Sequence, residues 1–285
     1  MIQQFKFSET LHSGYAQTFE VREVLFEHRT EHQHLVIFDT PSFGRVMALD
    51  GAIQTTERDE FIYHEMLAHV PLFAHGQARD VLIVGGGDGG MLREVLKHPG
   101  VERVVMVEID RSVIDLCTHY FPNHSQGAFD SPRAEIIVGD GVEYVGSTDR
   151  RFDVVLSDST DPAGPAEVLF TERFYSGVKR CLKEGGIFAA QNGLPFLQAD
   201  EVTNTYKRLA GHFQDRWFFA AAVPTYVGGI MTLAWASDDK ALRQLPVEVI
   251  AERFRAGGLK TRYYNPEMHV ASFALPQYVV DSLVD

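Results

Sequence analysis

The chain has 285 residues, enough for one large domain or two unequal ones with a substantial core. Its 26 Lys and Arg against 39 Asp and Glu give a formal charge of −13, which argues against a nucleic-acid binder, since neutralising phosphates takes a basic face, and suits a cationic small substrate. No run approaches the roughly 20 apolar residues of a membrane span, the N-terminal Met1-Ile2-Gln3-Gln4-Phe5-Lys6 lacks the apolar stretch of a signal peptide, and Cys117 and Cys181 have no metal or redox spacing; a cytoplasmic protein with reduced, structural thiols is expected.

Residues 1–56 read as a small β domain. Phe19–Val21, Leu35–Phe38 and Arg45–Leu49 are short runs rich in β-branched and aromatic residues. Asp50-Gly51, between Val46–Leu49 and Ala52–Thr55, is a two-residue hairpin signal. A sheet this thin is expected to lean on the larger domain or on a partner subunit. Residues 57–285 are assigned to that larger domain. Thr56, with Asp59 three residues on, reads as a capping box opening a helix. Tyr63, Met66, Leu67 and Val70 recur at i, i+3, i+4 and i+7 along it, and Pro71 is expected to close it. From Val81 strands and helices alternate: Val81–Val84, a helix over Leu92–Lys97, Val104–Val107, a helix over Ser112–Tyr120, Ile136–Val138, Val154–Leu156, and a helix near Glu172–Leu182. Gly185-Gly186 is a stop before a strand at Ile187–Ala190, and Thr232–Trp235 reads as a later strand. Such alternation predicts a parallel, doubly wound α/β sheet.

The strands of this sheet run into acids: Asp88, Glu108, Asp140 and Asp158, with Asp161 close behind. In an open α/β sheet ligands bind beyond the carboxyl ends of the strands, so five carboxylates are expected to converge on one crevice. Clustered carboxylates are costly unless a cation compensates them.

Gly85-Gly86-Gly87-Asp88-Gly89-Gly90 fits G-x-G-x-x-G directly after a strand and at the opening of a helix. Glu108, at the end of the next strand, is where an acid commonly binds the ribose hydroxyls of an adenosine. Asp88 departs from the dinucleotide pattern. It occupies the helix N-terminus where a pyrophosphate would sit and would repel it, so a nucleoside without phosphates fits better, such as S-adenosylmethionine and its relatives. Asp88 also reads simply as a helix N-terminal acid that complements the dipole. Asp140-Gly141 is placed either to reach an adenine edge or to make a plain strand-to-helix turn, and Asp110 reads as an N-cap. Ser157-Asp158-Ser159-Thr160-Asp161-Pro162, continuing Ala163-Gly164-Pro165, sets two carboxylates in a loop shaped to cover the crevice.

Other candidates carry less. His64 and His69 lie five residues apart, about 140° around a helix, and so do not share one metal as i, i+4 pairs do; no metal is expected. His32 and His34 read as surface or structural. Tyr226, in Pro224-Thr225-Tyr226-Val227-Gly228-Gly229, sits on a Gly-rich turn and is expected to line the crevice. Three readings stay open on the residues alone: a methyltransferase using intact S-adenosylmethionine, a non-catalytic sensor that binds a cationic amine, and, disfavoured by Asp88, a dinucleotide oxidoreductase.

The stretches GGGDGG (85–90), MVEID (106–110), GDG (139–141) and SDSTDPAGP (157–165), with GRVMALDGAIQTTERDEFIYHEM (44–66) and PTYVGGIMTLAWA (224–236), resemble the polyamine aminopropyltransferases. The likeness is nearest to bacterial spermidine synthases and spans nearly the whole chain. It implies a Rossmann-like sheet of class I methyltransferase type preceded by a small N-terminal β domain, in a homodimer or homotetramer. It implies transfer of the aminopropyl group of decarboxylated S-adenosylmethionine to putrescine, with that donor as co-substrate and no cofactor. Carried over position by position, Gln33, Gly85, Gly87, Asp88, Glu108, Asp140, Gly141 and Pro165 would hold the donor. Tyr63, His64, Asp88, Asp158, Asp161, Gln191 and Tyr226 would border the amines, and Asp158 would accept the proton. Ser159 stands where several relatives carry Cys.

Overall fold

The computed structural model describes residues 5–29, 33–160 and 164–284. Within them, β1 (Phe5–His12) and β2 (Tyr15–Val21) form a hairpin. β3 (Glu23–Arg29), β4 (His34–Thr40), β5 (Gly44–Leu49) and β6 (Ala52–Thr56) form a four-stranded antiparallel sheet. Asp50 and Gly51 turn the last hairpin with φ of 48° and 87°, both left-handed, as a type I′ turn needs.

Thereafter strands alternate with helices: α1 (Glu60–His75), β7 (Asp80–Gly85), α2 (Gly90–Leu96), β8 (Arg103–Glu108), α3 (Arg111–Tyr120), α4 (Pro122–Ser125), β9 (Ala134–Val138), α5 (Gly141–Ser147), β10 (Phe152–Asp158), α6 (Glu172–Cys181) and β11 (Leu182–Gln191). α7 (Ala199–Leu209), β12 (Asp215–Ala221), β13 (Met231–Ser237), α8 (Val247–Gly257), α9 (Pro266–Ser272) and α10 (Gln277–Val284) complete it. The seven-stranded sheet has the order β12-β13-β11-β10-β7-β8-β9. Only β13 is antiparallel to its neighbours; β11, β10, β7, β8 and β9 pair in parallel.

The period of two along each strand assigns its residues to two cores. Val81, Ile83, Val104, Met106, Val154, Leu156, Ile187 and Ala189 face α1, α2 and α8. Leu82, Val84, Val105, Val107, Val155, Phe188 and Ala190 face α5, α6, α7 and α10. Strands buried on both faces are apolar throughout, which is why they were legible as short unbroken runs. The small sheet rests on the large one's helices: Leu35, Ile37, Met47 and Leu49 pack against Val113, Cys117 and Phe121 of the α3 region. Its other face holds Phe19 of the β1–β2 hairpin against Phe38, Val46, Ala48 and Ile53.

Several local expectations are corrected. Residues 57–59 are a turn, and α1 starts at Glu60 with Asp59 at the N-cap position. The Thr56 hydroxyl accepts from Asp59 N at 3.3 Å, as in a capping box, but also donates to Asp59 Oδ1 at 2.6 Å. Pro71 does not end α1; the helix continues to His75 and stops at left-handed Gly76, whose N–H reaches Leu72 O. The apolar packing of Val70, Leu72 and Phe73 outweighs one lost hydrogen bond. Gly185 and Gly186 lie inside β11, which follows directly on α6. Strands β1, β3 and β12 were not foreseen, β1 and β3 because most of their residues are exposed and polar.

Candidate active site

A cleft of about 200 Å³ opens at the carboxyl ends of β7, β8 and β10, beside the point where the chain turns from one half of the sheet to the other. This is where an open α/β sheet binds its ligand. Four of the five anticipated acids line it, Asp88, Glu108, Asp140 and Asp158; Asp161 lies outside the described residues.

The glycine loop is shaped by the protein's own acids. Gly85, with φ 85°, passes so close to β10 that a Cβ would lie 1.9 Å from the Asp158 carbonyl oxygen, and Gly86 N donates to that oxygen at 2.9 Å. At Gly87 a Cβ would lie 2.9 Å from Glu108 Oε2. The loop therefore registers Asp158 and Glu108 against each other.

At one end, Glu108 accepts from Gly87 N at 3.1 Å through Oε2 and from Asp110 N at 2.9 Å through Oε1. Burial, helped by Asp110 and Asp158, raises its pKa to about 7 despite those two bonds. Asp140 caps α5, its Oδ1 accepting from Val142 N at 2.6 Å and Glu143 N at 3.2 Å. Asp110 is the N-cap of α3, and Gln33 Nε2 donates to its Oδ2 at 3.2 Å. Gly141 lines the cleft nearby, as do the apolar side chains of Ile109, Val84, Val168 and Leu169. These walls suit a flat heterocycle, and sequence reading missed them; Ile109 and Val168 are exposed aliphatics in the structure, which no local pattern in the sequence marks. Pro165 falls in the 3-10 turn Gly164–Phe170, and its side chain lies outside what is described.

The other end gathers charge. The Tyr63 hydroxyl donates to Asp158 Oδ1 at 2.8 Å. Asp88 uses Oδ1 to accept from Gly90 N at 2.8 Å, the helix-end role, while its Oδ2 lies 3.4 Å from His64 Nε2. One donor atom each from His64, Asp88 and Asp158 falls within 4.8 Å of the others, a spacing that suits a cation. Burial, with Asp88, raises the Asp158 carboxyl to about 6 against the opposing pull of His64 and Tyr63. Burial, with Asp158, drives the Tyr63 phenol well above its usual range. Gln191 and Tyr226 line the same end, with Tyr226 edge-on to Tyr63 at 6.1 Å between ring centres.

Two features here lay beyond sequence reading. The β1 strand adds Glu9, Leu11 and His12 to the cleft wall. The loop bearing Tyr226 is tied to the start of α1 through Asp59 Oδ2, which accepts from Thr225 N at 2.9 Å and Thr225 Oγ1 at 2.8 Å. His69 stands apart from His64, facing Glu94 at 3.0 Å. Cys117 and Cys181 are buried and unbridged, and burial pushes both thiols up, which removes them as nucleophiles. No helix among the described residues is long and apolar enough to cross a membrane.

The sheet order and the cleft at its carboxyl edge define a Rossmann-like protein of the class I methyltransferase fold. A family model described as the spermine/spermidine synthase domain matches residues 60–245, and one described as the spermidine synthase tetramerisation domain matches residues 6–57. The polyamine aminopropyltransferase of Serratia proteamaculans is 59% identical over 283 residues, covering 99% of each chain. Polyamine aminopropyltransferase 1 of Pseudomonas aeruginosa is 60% identical over 277 residues, covering 97% of each. A spermidine synthase solved with the transition state analogue AdoDATO superposes with a TM-score of 0.93 at 40% identity, covering 99% of this chain and 96% of that one. The Thermotoga maritima spermidine synthase gives 0.90 at 38% identity, covering 99% and 95%. The chain belongs to the spermine/spermidine synthase family and is an enzyme of the polyamine aminopropyltransferase type.

Proposed function

We propose that the enzyme transfers the aminopropyl group of decarboxylated S-adenosylmethionine to putrescine, giving spermidine and methylthioadenosine. The observation that carries this is the pairing, in one cleft, of a nucleoside end at Glu108 and Asp140 with a cation end at His64, Asp88 and Asp158. Intact S-adenosylmethionine carries a carboxylate that Asp88 and Asp158 would repel, so the acids favour the decarboxylated donor over a methyl-transfer reaction.

In this reading Glu108 binds the ribose hydroxyls, and Asp140, Gly141, Gln33 and Pro165 border the base. Asp88 holds the ammonium of the aminopropyl arm. Putrescine lies between Tyr63 and Tyr226, with His64 and Gln191 beside it and its distal ammonium on Asp161. The near nitrogen attacks the methylene carbon next to sulfur. The new N–C bond takes the amine's lone pair, the C–S bond's electrons neutralise the sulfonium, and one proton leaves the nitrogen for Asp158. The electrons balance with no metal or redox cofactor taking part, and the protein's contribution is alignment and deprotonation.

Deprotonation is the steep step. Moving a proton from an alkylammonium of pKa about 10 to an ordinary aspartate of pKa about 4 is uphill by roughly 8 kcal/mol. With Asp158 raised to about 6, the gap narrows to roughly 5–6 kcal/mol. The donor's sulfonium lowers the ammonium pKa further by like-charge repulsion, and the tyrosine walls desolvate it.

We also propose a homodimer or homotetramer built through the β1–β2 hairpin, supported by the tetramerisation-domain match and by exposed Phe5, Leu11 and Tyr15; light scattering tests it. The deciding experiment incubates the protein with putrescine and either donor, with products identified by mass spectrometry. Spermidine from the decarboxylated donor alone is expected. An N-methylated diamine from the intact donor would replace this reading with a methyltransferase, and polyamine binding without turnover would replace it with a sensor.

A further inference from the structure

Behind Asp88 lies a row of buried charges that the displacement itself does not use. His64 sits one turn after Glu60 on α1, with its Nδ1 2.6 Å from Glu60 Oε2. Glu60 accepts a forked pair from the Arg93 guanidinium of α2, at 3.2 Å from Nη1 and 2.8 Å from Nη2. Arg93 also donates to Glu94 and to the carbonyl oxygens of Asn123 and His124. The Glu60 and Arg93 side chains are only 8% and 7% exposed. Burial pushes the Glu60 carboxyl up, but His64 and Arg93 outweigh it and hold the pKa down at about 2.

The His64 ring has one seat, since a Cβ on Gly90 would lie 2.3 Å from its Cε1. The groups that face it are Glu60 and Tyr63 from α1, Asp88 from the β7–α2 turn, Arg93 from α2, Asp158 from β10, and His124 from α4. Burial drives His124 towards its neutral form. Three carboxylates against one guanidinium leave His64 as the group that supplies the missing positive charge. Burial favours its neutral ring, but Asp88, Glu60 and Asp158 overcome that and raise its pKa to about 9.

We propose that His64 is a stand-in cation: held as an imidazolium between Glu60 and Asp88, it takes the electrostatic place of the donor's primary ammonium until the donor binds, and then gives up its proton to solvent. The inference rests on the reading above that places that ammonium at Asp88. An ammonium and a sulfonium brought beside an imidazolium disfavour its charged form, and linkage then requires a proton to leave on binding. The proton lost is that on Nε2. Nδ1 keeps its hydrogen, donated to Glu60, and the lone pair left on Nε2 accepts from the arriving ammonium. Glu60 and Arg93 are positioning residues in this scheme, since they fix the ring's orientation and its tautomer.

The test is calorimetric titration near pH 8 in buffers of different ionisation enthalpy, with decarboxylated S-adenosylmethionine and, separately, methylthioadenosine, which lacks both cations. Release of about one proton per donor bound is expected, and almost none for methylthioadenosine; the second ligand also accounts for any titration of Glu108. Glu60→Gln should cut the release to less than about half, and His64→Gln should abolish it. The wild-type measurement stands even where a variant folds poorly. Donor binding with release below about 0.2 proton would overturn the proposal. Binding of methylthioadenosine without binding of the donor would instead overturn the donor assignment, and the proposal with it. An imidazole nitrogen NMR titration of His64 that shows a neutral ring before donor is added would overturn it independently.

Discussion

The two ends of the cleft use the same residue type in opposite ways. At the end proposed for the nucleoside the acids are committed to the backbone: Asp140 caps α5, Asp110 caps α3, and Glu108 bridges Gly87 N and Asp110 N. At the cation end the acids face side chains and one another: Asp158 meets Tyr63, and Asp88 meets His64. Acids bonded to peptide N–H groups are built to present a fixed acceptor edge, as sugar hydroxyls require. Acids crowded together without enough positive charge are built to take up cations, and at Asp158 the raised proton affinity serves the chemistry.

The comparison is broken most directly at Asp158. Asp158→Asn is expected to lower kcat by about 10²–10⁴-fold with donor affinity little changed; stopped-assay rates near wild type would remove Asp158 as the proton acceptor. The two ends are separated next by a reciprocal pair. Glu108→Gln should raise donor KM by about 10–100-fold and leave putrescine KM alone, while Asp161→Asn should do the reverse, each replacing a bond made to a charged group. If both variants moved the same KM, the division of the cleft would fail.

Tyr63→Phe comes third. Removing its hydrogen bond to Asp158 should cost about 1 kcal/mol, roughly five- to tenfold in kcat/KM for putrescine. It should also move the acid limb of the pH profile upward, since that bond favours the ionised carboxylate. The smallest effect is the wild-type profile itself. A carboxylate accepts a proton only above its pKa, so kcat/KM should fall as pH drops through about 6, where burial places Asp158. In kcat the same limb should lie lower, because bound cations favour the ionised form. A flat profile down to pH about 5 would contradict the raised carboxyl.

Much of this was legible along the chain, for identifiable reasons. The central strands announced themselves because burial on both faces makes them continuous apolar runs, and Asp50-Gly51 because its turn is local. The dual reading of Asp88 was well posed: one oxygen makes the helix-end bond and the other faces the cation site. The Glu60–Arg93 clamp was not legible, because its partners lie 33 residues apart and neither belongs to a short motif. Pro71 misled for the converse reason, a strong local rule overridden by packing around α1. The apolar walls at Ile109 and Leu169 escaped notice because nothing local distinguishes a wall for a ring from an ordinary surface aliphatic.

Asp59 gives the molecule a mechanical property that neither core supplies. One carboxylate, carried at the start of α1, fastens the end of β6 through Thr56 and a loop 166 residues further along through Thr225. It works as a rivet through three plates. The Tyr226 side of the cleft thus hangs from a polar joint, whereas the nucleoside side is clamped by the sheet itself. Wear at that joint would loosen the Tyr226 wall while the Glu108 wall stayed true, so on the proposed reading the seat of the amine is a part that can be retuned by itself.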